Sequence, residues 1–251
     1  MKIHNPILIL ACIISFSIWS CQSKTPDTAT LSEAEVVHDN QLSEAEKEQG
    51  WKLLFDGSTL NGWHVYNRGK AESAWEAVNG ELRCNPEKTD DPADLLTDVQ
   101  YENFEFDFEW KIEEEGNSGV FINVVEKPEI KTAWATGPEY QLLSNSHAEV
   151  NVPLKRSGCL YNFFPQKNPA ATKSSSEWNQ SKIIQLDGKT QFFLNGVLTT
   201  EVDFKSQAWA DAVANSSFSN YPEFGKSIKG HIALQDWAKG ISFRNLKIKE
   251  L

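Results

Sequence analysis

An all-β jelly-roll sandwich of two antiparallel sheets, preceded by one short N-terminal helix, is the fold class that this sequence predicts. Three observations predict it. Short segments of strand character recur along the chain, with Gly, Asp or Asn between most of them, as strands and turns require. Asn-Gly pairs fall at 79–80 and 195–196, the dipeptide that a two-residue hairpin turn favours. Nine Trp and fourteen Phe supply the bulk that fills the space between two packed sheets.

The N-terminus is read as processing signal rather than fold. Lys2 opens a polar stretch, and PILILACIISFSIW follows as an apolar run of signal-peptide length, shorter than a membrane-spanning helix needs. The run ends in Ile18-Trp19-Ser20-Cys21, which resembles a bacterial lipobox. Residues 1–20 are therefore expected to be a lipoprotein signal peptide and Cys21 the site of lipid attachment. A secretory leader with an incidental cysteine is the competing reading. Residues 21–41 are rich in Ser, Thr, Ala, Asp and Glu and nearly lack aromatics, so they read as a flexible tether. LSEAE occurs at 31 and again at 42. The second copy, LSEAEKEQG, predicts a short helix in which Ser43 caps, Glu46 closes a capping box and Gly50 ends the turn. Residues 42–251 are the expected domain.

Composition excludes several functions. The chain is acidic, with a formal net charge of −11 and no basic cluster, which argues against nucleic acid and against anionic lipid headgroups as partners. Membrane contact is expected through the lipid anchor alone, on the periplasmic face or cell surface of a bacterial outer membrane. Cys12 leaves with the leader; whether Cys84 and Cys159 pair is left open. No Cys-x-x-Cys or His-Glu-x-x-His spacing marks a zinc site.

Along the domain, WKLLFDG and LNGWHVY read as the first strands, and SAWEAVNGELRC as a hairpin about Asn79-Gly80. NFEFDFEWKI and SGVFINVV read as the next pair, joined by EEEGN. EYQLL, GCLYNFF, SKIIQLD, TQFFLNGVLTTEV, GHIALQDW and ISFRNLKIKEL follow. Helical periodicity appears only near SQAWADAVANS.

Strand alternation sets the candidate residues. In GPEYQLL, Glu139 and Gln141 share one face, where a carboxylate and an amide can address one hydroxyl-rich ligand; an ordinary exposed face competes with that reading. In LQDWAKGISFRN, Gln235 and Trp237 share a face, with Asp236 opposite. Arg244 reads as the structural partner of a carboxylate. Glu177-Trp178-Asn179 offers an indole beside polar groups, the equipment of a sugar site, against a core role for Trp178. Glu105, Asp107 and Glu109 form an acidic row opposite Phe104, Phe106, Phe108 and Trp110. The row reads as the polar side of a sheet whose aromatics fill the core, with Glu109 as the exception.

In order, GWKLLFDGSTLNGW, GNSGVF, GPEYQLL, GCLY, EWN, FLNG and LQDW…FRNLKIKEL resemble the 3-keto-disaccharide hydrolase family, over the whole span from about Leu42 to the C-terminus. The resemblance implies a concanavalin or laminin-G-like sandwich and lyase, hydratase or net hydrolase action on glycosides oxidised at C3. It implies Glu139 as the base, Asp236 as a second acid–base or metal ligand, and Gln141 beside them. Asn117, Tyr161, Trp178, Asn179, Gln235, Trp237 and, less directly, Glu109 would bind substrate. No cofactor is fixed by it, and a divalent metal is left open. This chain departs from the family pattern. Trp237 stands where many members have His, Phe192-Phe193 where many have His-Trp, Asn123 where Arg is common and Ser144 where Asp is; His147 is the imidazole placed to compensate. A non-catalytic glycan-binding lipoprotein and an envelope interaction protein are the alternatives.

Overall fold

The computed structural model describes Met1 and residues 38–251; the leader, Cys21, most of the tether and the first LSEAE lie outside the described residues. The elements are α1 (Glu44–Glu48), β1 (Lys52–Leu53), β2 (Trp63–Val65), β3 (Trp75–Val78), β4 (Glu81–Cys84), β5 (Leu95–Thr97), β6 (Phe104–Ile112) and β7 (Asn117–Val124). They continue as β8 (Glu139–Leu143), β9 (Asn179–Leu186), β10 (Lys189–Leu194), β11 (Val197–Asp203), α2 (Gln207–Ala214), β12 (His231–Leu234) and β13 (Ile241–Glu250). One antiparallel sheet runs β11-β10-β9-β6-β13-β4-β3, with β1 added along β13. The other runs β2-β5-β12-β7-β8.

Local chemistry accounts for the ends of these elements. Ser43 accepts from the Glu46 amide while Glu46 returns to the Ser43 amide, so α1 has the full capping box. The β3–β4 and β10–β11 hairpins turn on Asn79-Gly80 and Asn195-Gly196. All four residues have positive φ, as the tight turn that matches strand twist requires.

The core lies between the sheets and is aromatic. Phe106 and Phe108 stack at 4.7 Å, Phe108 meets the Tyr140 ring edge-on at 6.2 Å, and Tyr140 stacks on Phe192 at 5.5 Å. Polar groups in this layer are paired: Trp110 Nε1 donates to Ser181 Oγ at 2.9 Å, and the Tyr140 hydroxyl donates to the Phe193 carbonyl at 2.9 Å. A second tie joins the sheets. Asn123 of β7 donates to Gln185 Oε1 of β9 at 2.8 Å, and Gln185 Nε2 reaches Asn123 Oδ1 at 3.0 Å and the Ile228 carbonyl at 2.9 Å.

Two strand expectations need correction. β6 and β7 do not pair: β6 lies between β9 and β13, and β7 between β8 and β12. Both flanks of β6 are taken by later strands, so the EEEGN connection crosses from one sheet to the other. GCLYNFF is not a strand. Asn162 takes φ 62° and turns the chain, leaving only isolated bridges at Leu160.

The acidic row lies on the outer side of the larger sheet in a lattice of ion pairs. Glu105 meets Lys182 at 2.6 Å and Lys249 at 2.7 Å, and Glu109 meets Arg244 at 2.7 Å. Lys182, Lys247 and Lys249 lie over the Trp51 ring. Cys84 and Cys159 are both free and buried.

Replacing Gln185, which is fully buried, with Leu would strand the Asn123 amide and the Glu102 and Ile228 carbonyls together. The expected cost is about 3 kcal/mol or more, a fall in Tm of roughly 6–12 °C by thermal denaturation.

Candidate active site

The outer face of the five-stranded sheet carries the site. Tyr140 and Leu142 of β8 point into the core, which sends Glu139 and Gln141 to the other face. Opposite them on β7, Gly119 pairs with Gln141 and Phe121 with Glu139. A Cβ at Gly119 would collide with Glu139 Oε1, so the missing side chain is what lets the carboxyl lie flat on the sheet. Gln141 Nε2 donates to Asn117 Oδ1 at 2.8 Å and to the Ser118 carbonyl at 3.0 Å, which locks the amide in place.

Above this floor lies a cavity of about 550 Å³. Glu139, Gln141, Asn117, Tyr161, Gln235 and Trp237 all line it. Lys155 and Glu149, an ion pair on the loop after β8, form one wall. Trp134 forms another, with Tyr221 edge-on to it at 4.7 Å. Trp237 is 64% exposed and stands at the rim.

Among the described residues no hydrogen bond reaches the Glu139 carboxyl. Burial pushes it up to about 8, with the nearby Asp94 carboxyl adding to the rise. Asp94 itself is raised to about 7, again chiefly by burial; the Asp236 amide, which donates to Asp94 Oδ1 at 3.1 Å, works against that rise. Two buried carboxyls thus take up protons near neutrality within reach of each other's field, the condition under which one acts as base and the other as acid.

Asp236 plays a different part. Its carboxylate accepts the Cys84 thiol at 3.3 Å and the Ala93 amide at 3.1 Å, so both oxygens are spent holding the segment that carries Asp94. Among the described residues no group of three or more His, Cys, Asp or Glu side chains is arranged to hold a metal ion.

The remaining expected residues lie elsewhere. Trp178 sits against Arg244 at 4.3 Å and Lys111 at 4.7 Å, and Glu109 is bound to the same Arg244, all on the outer side of the larger sheet. They do not join the cleft. Asn179 is buried, accepting from the Lys173 amide and from Asn195 Nδ2, and it fixes the loop before β9. His147 accepts the Glu149 amide through Nδ1 and does not line the cavity. Sequence reasoning missed Asp94 and Trp134. Asp94 lies just before β5 in a run of acidic residues, and Trp134 lies in a short turn before β8, with no motif around either.

Residues 50–249 match the 3-keto-alpha-glucoside-1,2-lyase-like domain family. The chain belongs to that family. A curated relative, the 3-keto-disaccharide hydrolase of Bacteroides thetaiotaomicron, is 27% identical over 290 residues that cover 100% of this chain and 99% of the relative. The crystal structure of a candidate glycosyl hydrolase from Parabacteroides distasonis superposes with a TM-score of 0.77 at 31% identity, covering 85% of this chain and 100% of that one. A second from the same organism gives 0.61 at 23% identity, covering 80% and 99%, and shares the fold. Membership makes this chain a lyase- or hydrolase-type enzyme on a two-sheet β-sandwich.

The buried carboxyl has a thermodynamic signature. Its ordinary value is 4.5 and its folded value about 8, so stability is greatest below the first and is lost as pH rises through the second. Glu139→Gln should therefore raise Tm above wild type at pH 8 by at least about 3 °C, with the gap closing toward pH 4–5 in thermal melts.

Proposed function

We propose that this protein cleaves glycosides whose sugar is already oxidised to a ketone at C3, by elimination followed by hydration. The observation that carries the reading is the unbonded Glu139 carboxyl, raised by burial and lining the cleft. A C3 ketone acidifies the C2 proton, and the glycosidic oxygen on C1 lies β to the resulting carbanion. Glu139 as carboxylate removes that proton. Gln141 and Asn117 stand beside it to orient hydroxyls, and Lys155 and Tyr161 are donors within the same cavity for the enolate oxygen. The C1–O bond then breaks, and water adding across the new double bond completes net hydrolysis. Trp134, Tyr221 and Trp237 supply the aromatic faces on which sugar rings pack.

Release of glucose from 3-keto-trehalose, and of the aglycone from other 3-keto-glucosides, tests this directly. Glu139→Gln should lower kcat/KM by about 10²–10⁴-fold without unfolding the chain. The wild-type profile should be bell-shaped, with limbs on either side of the range about 7–8 set by the Glu139–Asp94 pair. The exposed Trp237 favours a second reading, glycan binding without turnover. Tight binding of an unoxidised glycan together with failure to cleave any keto-glycoside selects it.

The lipobox reading places the enzyme on a bacterial envelope through Cys21. Cys21→Ser should abolish incorporation of labelled fatty acid and move the protein from the detergent to the aqueous phase on partitioning.

A further inference from the structure

A second cavity, of about 410 Å³, adjoins the first. Trp134, Gln235 and Trp237 line both, so the two spaces meet at a waist made by one amide and two indoles. The second space lies over the end of β2, where Tyr66, Asn67 and Arg68 face Asp94 and Asp236. Its two buried carboxyl neighbours are divided by the waist: Glu139 lines the first cavity and Asp94 the second.

The second cavity is also lined by unmet hydrogen-bonding groups. Besides the Glu139 carboxyl, two side-chain polar atoms fully sealed by protein lack a partner among the described residues, the Tyr66 hydroxyl and Gln235 Oε1; Tyr66 lines the second cavity and Gln235 the waist. The Lys127 amide is near the Tyr66 hydroxyl but makes no bond of normal geometry with it. Leaving buried polar atoms unpaired is costly, and a ligand bearing hydroxyls would satisfy both. Of the cations on the lining, one has a carboxylate partner and the other a backbone carbonyl. Arg68 is held by Asp91 at 2.8 Å, and Lys131 donates to the Pro128 carbonyl at 3.2 Å. The two orphaned groups, a phenol and an amide oxygen, are themselves neutral, and neutral hydroxyls are the groups that match them.

We propose that this second cavity is the leaving-group subsite: it takes the second, polyhydroxylated ring of a disaccharide, and Asp94 gives its proton to the departing oxygen at the waist. The inference rests on the elimination reading above. The step balances. The C2–H electron pair becomes the C1=C2 double bond as Glu139 takes the proton, the C1–O pair leaves with the oxygen, and the Asp94 proton converts that oxygen to an alcohol. In hydration, water gives hydroxide to C1 and a proton back to Asp94, while Glu139 returns its proton to C2. Both carboxyls are reset. Between about 7 and 8 the Asp94–Glu139 pair holds one proton between them, and the step draws on the form in which Asp94 carries it.

Two variants of the full chain test the proposal. Asp94→Asn keeps an acceptor for the Asp236 amide. It should lower kcat/KM for a 3-keto-disaccharide by about 10²–10⁴-fold, while a 3-keto-glucoside of 4-nitrophenol, whose leaving group needs no proton, loses less than about 10-fold. Tyr66→Phe removes the unpaired hydroxyl. It should raise KM for the disaccharide by about 3- to 10-fold and leave KM for a methyl 3-keto-glucoside unchanged. Equal effects on both substrates of either pair, or no effect on any, overturn the subsite. If the wild type cleaves no keto-glycoside, the elimination reading falls and the subsite is read by calorimetry instead. Tighter binding of unoxidised trehalose than of glucose, erased by Tyr66→Phe, sustains it as a binding site, and equal affinities refute it.

Discussion

The alternation of β8 is the constraint on which the rest depends. Tyr140 is fully buried, stacked on Phe192 and edge-on to Phe108, and its hydroxyl is bonded to Ser181 and the Phe193 carbonyl. A one-residue slip in register would take this ring out of the core and put a carboxyl in its place, so the register is heavily enforced. Enforcing it fixes Glu139 and Gln141 on the opposite face. The aromatic core thereby aims the base.

The same geometry explains how a carboxyl can be both buried and unbonded. Gly119 makes room for Glu139 on the sheet, and the loops carrying Trp134, Tyr161 and Tyr221 roof it over. Desolvation then raises the carboxyl, and the neighbouring Asp94 raises it further. This arrangement opposes stability at neutral pH and above. The Asn123–Gln185 amide pair and the continuous aromatic layer between the sheets offset that cost. Asp236, whose carboxylate braces the Ala93 amide and the Cys84 thiol, keeps Asp94 in place from below.

Much of this was legible in the sequence where the relevant chemistry is local. Asn-Gly turns, the α1 capping box and the two-residue alternation of GPEYQLL each depend on neighbours within a few positions, and each appears in the structure. Asn117, Tyr161, Gln235 and Trp237 were also named from their motifs and converge on Glu139. Trp178 and Glu109 were named on equally good residue chemistry, yet Arg244 and Lys111 claim them on the far sheet. An indole beside polar groups reads the same whether it meets a sugar or a guanidinium. Asp94 and Trp134 gave no local signal, because what distinguishes them is the company they keep across the fold.

The sequence alone determined that the chain is a two-sheet β protein with an aromatic interior, since period-two patterning and turn residues act over a few bonds and survive any folding context. It also determined that Glu139 and Gln141 face the same way. Only the tertiary structure decided which strands share a sheet, that β6 and β7 part company, and that Asp94 comes from a distant loop to within the electrostatic reach of Glu139. The physical reason is that hydrogen-bond partners between strands, and the burial that moves a carboxyl's proton affinity, are properties of groups brought together from far along the chain.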